Sequence, residues 1–148
     1  MSNKNEAVPE LSLRPATAGD AMTVFEWQSS PGTRTYARNP RLPTLAEHQD
    51  WFSEQLASAE TRFWVAIRNE HPCGFVRLHR HDDEWEVSIV TAPLMRGQGL
   101  GKAMLAALNR VSQGDKLVAE VLPGNEASHA LFRSAGFKLC PDGMYRKP

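Results

Sequence analysis

Arg96-Gly97-Gln98-Gly99-Leu100-Gly101 stands between a strand-like run, Glu84 to Thr91, and an amphipathic helical run, Lys102 to Val111. Glycine at 97, 99 and 101 lets the backbone come close to a ligand, and the N–H groups that open a helix have no partner within it. Such a turn suits anionic oxygens, a pyrophosphate above all. A dinucleotide fold would carry Gly-x-Gly-x-x-Gly early in the chain with an acid about 20 residues on; this run is late and begins with Arg96. A P-loop demands Gly-Lys-Ser/Thr, whereas Ala103 follows Gly101-Lys102. Neither nucleotide motif fits.

Outward from the turn, strand and helix patterns alternate. Trp85, Val87, Ile89 and Thr91 share one face of the strand-like run and Glu84, Glu86, Ser88 and Val90 the other, so two acids project together. His81-Asp82-Asp83 and Asn69-Glu70-His71-Pro72 are turn signals that set off two further strands, Cys73 to Arg80 and Phe63 to Arg68. Thr44-Leu45-Ala46-Glu47 has the spacing of a capping box, and Leu45, His48, Phe52 and Leu56 give a helix from Leu45 to Ala59 its apolar face. Arg34 to Pro43 reads as a loop. A shorter helix capped by Asp20 carries Met22, Phe25 and Glu26 and ends before Pro31-Gly32. Leu11 to Pro15 is the first strand; residues 1–10 read as a flexible leader and 11–148 as a single domain.

Beyond the turn, Met104, Leu105, Leu108 and Val111 mark the buried face of the helix, Gly114 terminates it, and Lys116 to Leu122 forms a strand. Asn125 opens a last helix through Ala135, with Ala127, Ala130 and Leu131 for packing and Gly136 at a left-handed C-cap. Phe137 to Leu139 and Met144 to Arg146 pair as a hairpin across Pro141-Asp142-Gly143. The order is β-α-α-β-β-β-α-β-α-β-β.

Seventeen basic and seventeen acidic side chains cancel, so no global field draws the chain to nucleic acid or an anionic membrane. Two cysteines, Cys73 and Cys140, are too few for a disulfide scaffold, and the N-terminus has no apolar signal region; a cytoplasmic setting is expected. No apolar run approaches the roughly 20 residues that span a bilayer. His79-Arg80-His81 puts two imidazoles on one strand face, but without a third ligand at metal-site spacing it reads as a solvated hairpin end, and no metal is expected.

The glycine run fits the Arg/Gln-x-x-Gly-x-Gly/Ala signature, and Asn125-Glu126-Ala127-Ser128-His129-Ala130-Leu131-Phe132-Arg133-Ser134-Ala135-Gly136-Phe137 follows at the appropriate distance. In both features, and in element order, the chain resembles the GNAT acetyltransferase superfamily. The resemblance implies an α/β fold with a mixed, mostly antiparallel central sheet, splayed central strands and flanking helices. It implies acetyl-CoA as cofactor and transfer of an acetyl group to a primary amine. Backbone from Arg96, Gly97, Gln98, Gly99, Leu100, Gly101 and Lys102 would hold the pyrophosphate, and Ile89, Val90 and Thr91 would pair with the pantetheine arm, leaving Pro93 to stop the ladder. Asn125, Ser128 and Phe132 would flank that arm, with Lys102 and Arg133 near outer phosphates.

Acetyl transfer needs an uncharged amine, a polarised thioester carbonyl and a proton for the leaving sulfur. Glu86 is the leading base, with Glu84 and Glu120 as competitors, and a backbone N–H near Val90 would polarise the carbonyl. Many GNAT members carry Tyr where this chain has Phe132, so the acid falls to Ser128, Tyr145 or water. Neither cysteine has an adjacent base, which favours direct transfer. The acceptor side would draw on Trp27, Arg34, His48 and Trp51, with Tyr36, Arg38 and Arg41 nearby. The Asp20, Trp27, Arg34 and Glu47-His48-x-x-Trp51 pattern, with Trp85-Glu86-Val87-Ser88-Ile89 later, looks similar to GNAT members that acetylate nucleotide-linked 4-amino sugars of the pseudaminic type. A protein or small-amine acetyltransferase and a non-catalytic acyl-CoA-binding module are the alternatives, and a homodimer is left open.

Overall fold

The computed structural model describes residues 10–31, 33 and 41–148. Three long strands form an antiparallel meander: β2 (Thr61–Arg68), β3 (His71–His81) and β4 (Glu84–Thr91). The β2–β3 turn is tighter than its sequence suggests. Asn69 and Glu70 take φ of 53° and 69°, a two-residue turn of the kind that matches strand twist, so His71 and Pro72 already belong to β3. Pro72 has no N–H to give the ladder, and it falls where the register shifts opposite Ala66/Ile67.

At the edge of the sheet β1 (Ser12–Pro15) pairs with β2, and on the other side β5 (Lys116–Ala119) lies parallel to β4. A terminal hairpin, β6 (Lys138–Leu139) and β7 (Tyr145–Arg146), adds to β5, giving the order β1-β2-β3-β4-β5-β7-β6. This is the mixed, mostly antiparallel α/β sheet with flanking helices that the sequence implies.

The helices are α1 (Ala21–Ser29), α2 (Leu45–Ala57), α3 (Leu100–Val111) and α4 (Glu126–Ser134). Strand alternation divides the core. Val76, Leu78, Trp85 and Val87 meet Met104, Leu105 and Leu108 of α3, and Phe132 of α4, in one cluster. Phe63 and Phe75 meet Val24 of α1 and Phe52 of α2 in the other.

Several expected details differ. Asp20 stands at the α1 N-cap, but its carboxylate turns back to the Thr17 N–H (2.8 Å) and to Arg14 (2.8 and 2.9 Å) instead of capping. The Thr44/Glu47 box forms, yet α2 stops at Ala57 and Leu45 is exposed. Val111 is exposed at the end of α3, and Gly114 lies beyond the Ser112 C-cap. Ala127 and Ala130 face solvent, so α4 packs through Leu131, Phe132 and Ala135. The strand drawn to Leu122 ends at Ala119. Of the expected leader, only Glu10 is among the described residues.

Candidate active site

β4 and β5 pair only from Glu84–Lys116 to Glu86–Val118. Beyond that point they part, and a cleft of about 620 Å³ opens between them. Val87 to Val90 of β4 form one wall and Glu120 to Leu122 the other; Asn125, Ser128, Leu131 and Phe132 close one side, and Arg77, His79 and His81 of β3 line it too. The sheet therefore splits where the sequence places its splayed strands. Phe75 and Val90 are register partners, and a Cβ on Gly74 would lie 2.4 Å from the Val90 carbonyl oxygen, so that carbonyl faces β3. N–H and C=O of one residue point the same way in an antiparallel pair. The Val90 N–H is thereby turned to β3, and alternation leaves those of Ile89 and Thr91 on the cleft side.

After β4 a short turn, Pro93–Met95, leads to Arg96. Gly97 and Gly99 take φ of 82° and 75°, and Gly99 is the left-handed N-cap of α3. A Cβ on Gly97 would meet nothing within 4 Å, so that side is open. Gly101 differs: a Cβ there would sit 3.1 Å from Leu131, and its glycine serves the approach of α3 to α4. Leu100 is buried, leaving only backbone to offer a ligand. Arg96 Nη2 donates to Thr33 Oγ1 at 2.6 Å, and Gln98 Oε1 accepts from Arg68 at 3.1 Å. Lys102 and Arg133 are exposed.

The acidic candidates separate cleanly. Arg146 donates twice to Glu84 (2.6 and 3.2 Å) and holds its carboxyl below the usual range, which makes it a strand-to-hairpin clamp. Glu86, at the fork where pairing ends, lines the cleft and sits 3.0 Å from His81 Nε2. Glu120 lines the opposite wall and is exposed. Asn125 Oδ1 accepts from the Ser128 N–H at 3.3 Å, a cap worth about 1 kcal/mol in itself. Tyr145, weighed as an acid, is fully buried with its hydroxyl 2.7 Å from His129 Nδ1. Burial pushes the Cys73 thiol up, away from nucleophilic use.

Residues 10–138 match the acetyltransferase (GNAT) domain family. The chain belongs to that family. Its structure is similar to that of an acetyltransferase from Thermus thermophilus (TM-score 0.80, 22% identity, covering 95% of this chain and 98% of that one). It is similar also to spermidine N-acetyltransferase from Vibrio cholerae with CoA and spermine (TM-score 0.79, 18% identity, 93% of each chain). A third likeness is to the aminoglycoside acetyltransferase AAC(6')-Ib with coenzyme A and kanamycin (TM-score 0.76, 21% identity, 92% and 91% covered). The split sheet and open glycine turn are features a GNAT domain needs to admit acetyl-CoA, and the enzyme class is acyl-CoA-dependent N-acetyltransferase.

A second cavity, about 390 Å³, is lined by Arg41, Pro43, Glu47, His48 and Trp51, and shares Gln28 and Arg77 with the cleft. His48 and Trp51, named on the sequence for the acceptor, both line this cavity. His48 is 2% exposed, its Nε2 lies 3.0 Å from the Ala21 carbonyl, and burial pushes its pKa down, so much of its role is structural. Trp27 packs on the Phe52 cluster and lines neither cavity. Arg34, Tyr36 and Arg38 lie outside the described residues. Arg77 and Gln28 were not anticipated, and His79 and His81, expected to form a solvated hairpin end, line the cleft. The Arg77-x-His79-x-His81 alternation was the signal for that face. Among the described residues no cluster of His, Cys, Asp and Glu can hold a metal, and no helix is long and apolar enough to cross a membrane.

Proposed function

We propose that this GNAT enzyme acetylates a primary amine of a small molecule, with the amine delivered to the β4–β5 fork and Glu86 as its base. The observation that carries the reading is the place of Glu86: it is the last β4 residue paired with β5, and its carboxylate lines the cleft that opens next. Acetyl-CoA supplies an activated acyl carbon when bound. Backbone of the turn from Arg96 to Lys102 holds the diphosphate, Ile89 and Thr91 offer N–H groups to the arm or the acyl oxygen, and Asn125 borders the arm. Glu86 removes a proton from the acceptor ammonium, directly or through one water, so that the nitrogen lone pair can attack. Phe132 has no proton to give, and Tyr145 is committed to His129. The departing sulfur takes its proton from the Ser128 hydroxyl, which borders the cleft, or from water.

We infer a nucleotide-linked 4-amino sugar as the acceptor. Arg41, which pairs with Glu47, and Arg77, which donates to Gln55 and lies over the Trp51 ring, are the cations a ligand phosphate would recruit there, with Trp51 beside a sugar or base. Thiol release with acetyl-CoA should be measured against such a sugar nucleotide, an aminoglycoside, spermidine and an N-terminal peptide. Glu86→Gln should keep CoA affinity and lose about 10²-fold in turnover, within the range for general-base loss. Equal turnover in that variant would move the base to Glu120 or water. Tight CoA binding with no amine above hydrolysis would favour a binding module.

A further inference from the structure

The β3–β4 hairpin stacks two imidazoles and a carboxylate along one face. His79 stands opposite Glu86 and His81 opposite Glu84. His81 Nε2 reaches diagonally to Glu86 Oε1 at 3.0 Å, the two rings meet edge to face at 4.9 Å, and His79 Nδ1 lies 3.2 Å from Thr61 Oγ1. Exposure rises along the pair, from 13% for the Glu86 side chain to 57% for His81.

A nearly buried carboxylate that accepts a proton must pass it on before the next turnover. An imidazole bonded to it and open to water is suited to the task, since imidazole commonly changes charge near neutrality. We propose that His81 carries the proton of the acceptor ammonium from Glu86 to solvent, a positioning and relay role that rests on the reading of Glu86 as base. The acceptor N–H bond breaks and an O–H bond forms on Glu86, leaving the electron pair on nitrogen. While Glu86 is ionised the neutral ring of His81 donates Nε2–H to it; once Glu86 is protonated, the ring exchanges with water to the Nδ1–H tautomer, and the O–H bond then breaks as the Nε2 lone pair takes the proton. The imidazolium gives its Nδ1 proton to water, which restores the Nε2–H tautomer that donates to the carboxylate. One proton leaves for each ammonium acylated.

The charged groups facing the pair are Arg77 and His79 from β3 and Glu120 from beyond β5. Glu84, on the same face of β4, is held by Arg146. Burial, followed by Arg77, keeps His79 below the ordinary imidazole range.

The test compares His81→Gln, which retains a hydrogen-bond donor but cannot titrate, with His81→Ala and Glu86→Gln. His81→Gln should keep CoA affinity within about twofold and lose about tenfold or more in kcat, with a pH limb of the wild-type profile removed. Added imidazole should restore His81→Ala. In the free protein, the ring-nitrogen resonances of His81 should move on Glu86→Gln while those of His71 do not. Wild-type kcat in His81→Gln across pH, a deficit in His81→Ala that imidazole leaves untouched, or unmoved His81 resonances would each overturn the relay. If Glu86→Gln is fully active the base assignment itself fails; if it is inactive and His81→Gln is not, only the relay fails.

Discussion

Gly74→Ala probes how closely β3 and β4 must approach for the cleft to work. A Cβ at 74 would lie 2.4 Å from the Val90 carbonyl oxygen and 3.0 Å from Met104 Sδ and Cε. The methionine end can swing aside, but the carbonyl is backbone inside a ladder. Ordinary contact begins at 3.4 Å, so the strands must part by about 1 Å at this point. Overpacking of this kind costs about 1–3 kcal/mol, and at this chain length each kcal/mol lowers the melting temperature by about 2–4 °C. The displacement falls on Ile89 to Thr91, where the cleft-facing N–H groups are. A misplacement of about 1 Å near reacting atoms can cost about 10²-fold in rate. Turnover at saturating acetyl-CoA should therefore fall by that order, while CoA affinity, which we assign largely to the glycine turn, should fall less. Thiol release, calorimetry with CoA and thermal melts measure the three quantities. An unchanged melting temperature would refute the close contact, and wild-type turnover in a destabilised variant would refute its link to the cleft.

Gly99→Val should lower CoA affinity more than tenfold, about 1.4 kcal/mol per tenfold, because Gly99 is left-handed with φ of 75° where a β-branched residue is strained; unchanged affinity in a folded variant would remove the turn from the phosphate site. Phe132→Tyr adds a hydroxyl to a ring that borders the cleft and packs on Phe137 and Tyr145. It should keep its melting temperature and match or exceed wild-type turnover, whereas a loss of about 1–3 kcal/mol that CoA does not relieve would show the ring edge facing the core. Burial lowers the His48 pKa, so on acidification below about pH 6.5 the unfolded chain takes up the proton first. Stability from this residue is full above that pH and falls as pH drops toward the folded pKa. Melts between about pH 7.5 and 5 should show a decline that His48→Gln flattens, and an equal decline in the variant would refute the assignment.

What depends on nearest neighbours was legible in the sequence. The Thr44/Glu47 capping box, the Asn125 cap and the left-handed Gly136 all involve partners within a few residues. Features set by distant packing were not. Gly101 looked like its neighbours in the turn, but Leu131 on another helix decides its use. Ala127 and Ala130 gave an apolar signal too small to fix the face of α4 against Leu131 and Phe132. Val121 and Leu122 are good strand formers, yet β5 stops at Ala119 because β4 has already diverged.

The catalytic face shows the same division in a form with functional weight. Alternation along β4 told that Glu84 and Glu86 share a face, and alternation along β3 told the same of His79 and His81. Neither pattern could say that the two faces are one, or which acid Arg146 would neutralise. Register supplies that information, and two short turns set it. Asn69 and Glu70, both left-handed, start β3 in phase with β2, and Asp82, at φ of 58°, brings His81 opposite Glu84 in the next hairpin. A slip of one residue in β4 would move Glu86 to the core side and turn Trp85 toward the cleft. Such a slip would bury a carboxylate among α3 side chains, at a cost of several kcal/mol. The apolar alternation that secures the core therefore also places Glu86 at the fork.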